Sequence, residues 1–154
     1  MAETQQPTLA LWCRTATFLC ALPLKDAAET MRPLAIQAMS GAPAFVLGMA
    51  VIRGAAVPVV DAGRLLGTEG VRAGRFVTLK VGPRRHVALA VEQVLDVKPL
   101  PDGSLGELPP LLHAAKTDVV SEIGVLDSEL LIVLRNARLV PEELWTQLEG
   151  EQSP

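Results

Sequence analysis

Aromatic residues are scarce in this chain of 154 residues, which has three phenylalanines, two tryptophans and no tyrosine. A surface on which nucleotide bases or sugar rings stack is therefore not expected. A polyanion-binding field is not expected either, because 17 acidic residues outnumber 14 basic ones and the net charge is −3. These two shortages exclude nucleic acid as a partner.

Cysteine is also rare, since Cys13 and Cys20 are the only two in the chain. Two thiols do not make a zinc site, which needs more ligands at closer spacing. A disulfide between neighbouring strands stays open, although a reducing cytosol disfavours it. The other interpretation is a pair of half-buried thiols on strands.

Long apolar runs are missing too. The longest, residues 42–52, stops at Arg53 and is too short to cross a bilayer. The first residues carry an acid and no long apolar core, so a signal peptide is not expected. With 49% hydrophobic residues, the composition predicts one soluble, cytoplasmic domain over residues 9–148, without membrane insertion. Residues 1–8 and 149–154 are expected to be tails.

Catalytic motifs are not found. The two histidines, His86 and His113, do not form a His-x-x-x-His pair, and there is no nucleophile elbow or phosphate-binding glycine loop. No two carboxylates can be argued as an acid and base pair. We predict no catalysis, no cofactor and no metal. A small ligand-binding barrel or enzyme, and a self-pairing scaffold, remain as alternatives.

Short β segments fill the chain instead. The clearest is a hairpin in which Val77, Leu79 and Val81 alternate with polar residues and residues 87–91 repeat the period after a turn. Residues 92–97 are expected to continue its return strand. Three further strand pairs are predicted, at residues 9–13 with 18–24, 46–53 with 55–61, and 119–125 with 130–134.

Two helices complete the prediction. Asp26 and Glu29 have the spacing of a capping box, which predicts a short helix over Lys25–Met31. Pro141 suits the first turn of a closing helix, with Leu144 and Leu148 on one side of it. Residues 63–74 hold several glycines and are interpreted as a connector. Many short strands with Gly/Pro turns predict an all-β fold of small barrels.

Several motifs resemble, in their order and spacing, those of the CheW-type chemotaxis coupling proteins. The family shows a Pro-Ala-Phe/Tyr element, a glycine, Asn-Leu-Arg-Gly and a Pro-Val-x-Asp run. Here the matching stretches are Ala42–Gly48, Ile52–Gly54 and Val57–Asp61. Weaker similarity follows at residues 87–94 and 123–134. The resemblance covers residues 9–144.

The resemblance implies two small five-stranded SH3-like β barrels packed side by side, with a short helix near Lys25–Met31 and a C-terminal helix. It also implies a non-catalytic adaptor in a bacterial chemosensory array that controls motility. Such a protein binds the cytoplasmic tip of a chemoreceptor and couples it to the regulatory domain of the histidine kinase CheA. Other CheW-like proteins are further partners that the resemblance suggests.

Family positions also suggest sites. Arg53 matches the signature arginine, so receptor binding is assigned to Arg53 with its neighbours Val51, Ile52, Val57 and Val59. Glu29, flanked by Ala27 and Thr30, is assigned to the kinase-facing surface. Each assignment has a structural alternative: Arg53 pairs within its own fold, Glu29 caps a helix, and the aliphatic residues form core.

The chain departs from the family pattern at both of these predicted surfaces. Val51 stands where the family has asparagine, and Ala27 and Thr30 stand where it has bulky aliphatic residues. Each lost aliphatic contact costs about 1–3 kcal/mol of binding. The alternative function is therefore a divergent modulator that binds the receptor but binds the kinase weakly or not at all.

Overall fold

The computed structural model describes residues 8–15, 18–70, 72–82, 84–100, 105–106, 122–126, 129–134, 140 and 145–146. Over these residues the chain forms eleven strands and little helix, which confirms the all-β prediction. The strands are β1 Leu9–Thr15, β2 Phe18–Pro23, β3 Ala27–Met31, β4 Val46–Ile52, β5 Ala55–Asp61, β6 Arg75–Lys80, β7 His86–Val91, β8 Gln93–Pro99, β9 Leu105–Gly106, β10 Glu122–Leu126 and β11 Glu129–Val133.

The strands form two sheets. The first has the order β8-β1-β2-β11-β10-β9 and the second β3-β6-β7-β5-β4. The first sheet has six described strands where five were expected, because the two-residue strand β9 pairs with β10. Neighbours are antiparallel except β2 with β11 and β5 with β7, which are parallel. The four predicted hairpins β1–β2, β4–β5, β6–β7 and β10–β11 are all present.

The largest apolar cluster lies between the two sheets. Alternate residues of both sheets enter it, because successive side chains of a strand point to opposite faces. From the first sheet come Leu11, Cys13, Cys20, Leu22 and Ile132, and from the second Val77, Leu79, Val87, Leu89 and Val91. Two smaller clusters cover the other face of each sheet, one around Trp12 and one around Phe76. Each sheet is thus apolar on both faces, as barrel subdomains packed side by side require.

The chain leaves the second sheet for the first at Glu92. The prediction that residues 92–97 continue the strand before them is wrong, since β8 pairs with β1 in the other sheet. The N–H of Glu92 donates to the carbonyl of Arg14 in β1, at 3.0 Å. Gly74 permits this crossing, because a Cβ there would collide with the carbonyl of Glu92.

The helix predicted over Lys25–Met31 is wrong as well. A 3-10 helix, Leu24–Asp26, is followed directly by β3, which pairs with β6. The capping box fails because the Glu29 backbone N–H donates to Thr78 and its carboxylate bonds to Arg53 instead of returning to Asp26. Contacts distant in sequence override the local spacing.

A short helix that was not predicted, α1 Ala62–Leu65, lies at the start of the expected connector. Asp61 begins it, accepting a hydrogen bond from the N–H of Arg64 at 2.9 Å on its Oδ1. Of the predicted closing helix only Trp145 and Thr146 are described, and both are helical. Pro141, Leu144, Leu148, residues 119–121 and both predicted tails, apart from Thr8, lie outside the described residues. Within the described part, no helix has the length and apolarity that a membrane crossing requires.

Candidate functional site

A tight turn between β4 and β5 presents Arg53. Ile52 and Ala55 pair across it, so Arg53 and Gly54 alone make the turn. Their φ angles are 51° and 78°, which is the pattern of a type I′ hairpin turn. Arg53 is the one non-glycine residue with positive φ in the described ranges. Such backbone strain persists where surrounding structure holds it, and it directs attention to this position.

The guanidinium of Arg53 is held by Glu29 through two hydrogen bonds. Nε donates to Oε1 and Nη2 donates to Oε2, each at 2.8 Å. Glu29 lies on β3 and Arg53 follows β4, and these are the two outer strands of the second sheet. The pair therefore joins the two ends of the strand order, which requires the sheet to curl.

Electrostatics in this pair follow from its geometry. The hydrogen bond from Arg53 lowers the pKa of Glu29 below its ordinary value, and the charges of Arg53 and His86 act in the same direction. The same bond raises the pKa of Arg53. The Arg53 side chain is 78% exposed, so solvent screens the attraction. The pair therefore adds little to the stability of the fold, and its main effect is to orient the Arg53 guanidinium.

The predicted receptor residues separate into two groups. Ile52, Val57 and Val59 are buried in the cluster around Phe76. For these three the structural alternative, core, describes their surroundings, because they point to the face of the second sheet that is turned away from the first. Val51 points the opposite way from Ile52 and is 71% exposed. Val51 and Arg53 are thus the members of the set that a partner can touch.

The predicted kinase-facing residues also differ in their surroundings. Ala27 is half-buried and packs against the cluster between the sheets, whereas Thr30 is exposed. Glu29 is occupied by Arg53. Because these two residues hold each other, the positions predicted for receptor contact and for kinase contact adjoin.

A second surface was missed in the sequence. Leu9, Leu24 and Val97 are large apolar residues that are 46%, 38% and 42% exposed. Val97 is the register partner of Leu11, and Leu24 follows the strand that pairs with β1. We call these three residues the apolar strip. Leu9 and Val97 extend the face of the first sheet that elsewhere packs against the second sheet. Leu24 lies in the 3-10 helix that follows β2.

The signal for the apolar strip was present in the alternation itself. Leu9 precedes Leu11 by two residues and Leu24 follows Leu22 by two, and both inner residues are buried. In each case the apolar residue that comes next in the i, i+2 spacing lies beyond the last buried residue and is exposed. Val97 belongs to a third strand, and the sequence alone does not bring the three strands together.

The two thiols lie opposite each other on neighbouring strands. Cys13 pairs in register with Cys20, and both are fully buried and free. The prediction of half-buried thiols is thus corrected to complete burial. Burial raises the pKa of Cys13 to about 12. It also raises the pKa of Cys20, with a further contribution from Cys13. Neither thiol has the lowered pKa of a nucleophile.

The described residues form no metal-binding site. In the part of the chain that the structure describes, no three His, Cys, Asp or Glu side chains gather as metal ligands. What the described surface does present is an oriented guanidinium, an exposed valine and the apolar strip. Such a set suits the docking of another protein, in which a few apolar and arginine contacts supply most of the affinity.

Comparisons with known proteins agree with this interpretation. A family model described as the CheW-like domain matches residues 10–144. The scaffolding protein TtCheW from Thermoanaerobacter tengcongensis has a similar crystal structure, with a TM-score of 0.71 and 23% sequence identity. The match covers 87% of this chain and 92% of that one, and at this identity it shows the shared fold. No curated protein matches the chain.

Proposed function

Because the chain belongs to the CheW-like family, we propose that it is a non-catalytic adaptor of a bacterial chemosensory array. It binds the cytoplasmic tip of a chemoreceptor and couples that receptor to the regulatory domain of the histidine kinase CheA. It does so in the cytoplasm, through protein contacts alone.

The observation that carries this proposal is the apolar strip at the margin of the inter-sheet core. Leu9 and Val97 lie on the paired strands β1 and β8, and Leu24 opens the 3-10 helix directly after β2, so all three sit on or beside hydrogen-bonded backbone. A receptor tip is expected to be a helical hairpin, and an amphipathic helix docks by laying its apolar face on such a surface. Arg53 and Val51 on the second sheet are proposed as further receptor contacts.

Titrations of the purified protein test the adaptor function. One uses a receptor cytoplasmic fragment, and the other uses the CheA regulatory domain from the same organism. Saturable binding to both supports the proposal. Failure to bind either partner, with the fold intact by circular dichroism, overturns it and leaves only the family fold.

A second candidate, the modulator with weakened kinase binding, is favoured by β3. Ala27 points toward the core and the exposed Thr30 is small and polar, so β3 offers a docking kinase little apolar area. Binding to the receptor fragment but not to the kinase domain would select this candidate. Thr30→Ile would then strengthen kinase binding, while Thr30→Ser, which adds no apolar area, would not.

A further inference from the structure

Thr78 is a polar residue in the middle of a buried strand. It is 3% exposed, and its neighbours Val77 and Leu79 are core residues. A hydroxyl in such a place needs a hydrogen-bond partner, because desolvation otherwise destabilises the fold. The identity of its partner therefore indicates what the residue does.

Both hydrogen bonds of the Thr78 hydroxyl go to the backbone of Glu29. Oγ1 accepts from the Glu29 N–H at 3.1 Å and donates to the Glu29 carbonyl at 3.3 Å. The pairing of β3 with β6 shifts its register between Ala27 and Glu29. At this bulge the hydroxyl supplies a donor and an acceptor to the Glu29 backbone, and so holds the point from which the Glu29 side chain extends.

The fixed residue in turn holds the arginine of the neighbouring turn. The two oxygens of Glu29 take the Nε and Nη2 donors of Arg53. Within the described part of the chain, Nη1 makes no hydrogen bond and the side chain is 78% exposed. A connected series thus runs from the Thr78 hydroxyl to the backbone of Glu29, and from the Glu29 carboxylate to the guanidinium of Arg53, which faces solvent.

We propose that Thr78 is a positioning residue for docking, whose hydroxyl directs the Arg53 guanidinium at an acceptor oxygen on the receptor tip. That oxygen is a carboxylate or a main-chain carbonyl, since both accept the paired N–H groups of arginine. The identity of the receptor as partner rests on the proposed function. The positioning of Arg53 by Thr78 does not.

The test compares Thr78→Ser with Thr78→Ala. Both variants lose the methyl group, so they differ only in the hydroxyl, and both are small enough to fit the buried site. Thr78→Val provides a second comparison, because it keeps the size of the side chain and loses the hydroxyl. Each change is made alone and together with Glu29→Ala.

The first readout is the Arg53 Nε–H resonance and its exchange with water, followed by nuclear magnetic resonance. We expect slow exchange in the native protein and in Thr78→Ser, and fast exchange in Thr78→Ala. The second readout is affinity for the receptor fragment, which should fall about tenfold in Thr78→Ala and not in Thr78→Ser. Combined with Glu29→Ala, none of the three Thr78 changes should weaken binding further.

Two results would overturn the proposal. One is an Arg53 Nε–H that exchanges equally slowly in Thr78→Ser and Thr78→Ala. The other is a loss of affinity that is just as large when Glu29 is already alanine, since that indicates a general packing role. If the native protein binds no receptor fragment, the adaptor function fails, and the resonance comparison still decides the role of Thr78.

Discussion

The carbonyl oxygen of Gln37 occupies the place that a Cβ on Gly48 would take. Two backbone hydrogen bonds between Gln37 and Met49, of 2.8 and 2.9 Å, join the segment before β4 to β4 itself at this point. Gly48 itself has a φ of 144°. The connector between β3 and β4 is thereby held against the outer edge of β4, where an uncovered strand would otherwise offer a pairing site.

Gly48→Ala should therefore destabilise the protein severely. The added methyl group meets rigid backbone and the φ is unfavourable for alanine, so we expect a loss of about 3 kcal/mol in the free energy of unfolding. Gly67→Ala is the control, because its φ of 85° is also positive but open space surrounds it; its loss should be about 1 kcal/mol. Urea denaturation measures both, and equal losses would contradict the steric argument.

The contribution of the Arg53–Glu29 pair to folding stability should disappear in acid. Arg53 lowers the pKa of Glu29 from its ordinary 4.5 in the folded protein. A lowered folded pKa gives stability that is complete above pH 4.5 and disappears as the pH falls through the lowered value. The difference in thermal midpoint between the native protein and Glu29→Gln should shrink in that window. Raising the salt concentration at pH 7 should also shrink it. A difference that grows toward low pH would refute this assignment.

Arg53→Asn should separate stability from binding. Asparagine tolerates positive φ and favours a type I′ turn before glycine, whereas the lost ion pair is exposed and weak. The thermal midpoint should stay the same or rise by a few degrees, while affinity for the receptor fragment falls. Arg72→Asn, at another exposed arginine, should leave that affinity unchanged. Full receptor binding by Arg53→Asn would remove Arg53 from the docking surface.

Val97→Asp should weaken receptor binding without unfolding the protein. Val97 is 42% exposed, so a carboxylate there can reach water, yet it would place a charge in the apolar strip. We expect at least a tenfold loss in affinity, which corresponds to about 1.4 kcal/mol. Val51→Asp, at a more exposed valine on the other sheet, shows whether the receptor also touches that side. Unchanged binding by Val97→Asp would exclude the apolar strip as the docking surface.

Cys13 and Cys20 should be unreactive until the protein unfolds. Burial raises the pKa of Cys13 to about 12 and also raises that of Cys20, so at pH 8 almost no thiolate forms. A thiol reagent should release no signal from the native protein and two equivalents in guanidinium chloride. No signal in either condition would mean that the two cysteines form a disulfide.

The sequence predicted best where the determining contacts are local. The β6–β7 hairpin was found because apolar residues alternate on both sides of a short turn, and the alternating set Val77, Leu79, Val87, Leu89 and Val91 is the one that enters the cluster between the sheets. The pairing of residues 46–53 with 55–61 was found for a similar reason. In both cases the strands that pair are adjacent in the chain.

Prediction failed where residues distant in the sequence determine the local structure. Residues 27–31 lack an apolar alternation, so the spacing of Asp26 and Glu29 favoured a helix, whereas Thr78 and Arg53 fix the segment as a strand. The apolar strip was missed because its residues come from three separate segments. For the aliphatic residues near Arg53 the sequence left both receptor binding and core open, since motif position alone does not tell which face of a strand is covered.

The parallel pairing of β2 with β11 has a consequence for biosynthesis. The second sheet uses only residues 27–91, so all of its strands leave the ribosome in one continuous stretch. The register partners Leu19 and Leu131 are instead separated by roughly 110 residues, which at about 5–20 residues per second delays their pairing by about ten seconds. During that interval the edge of β2 is open on the nascent chain. An open strand edge of this kind is one that a chaperone can cover.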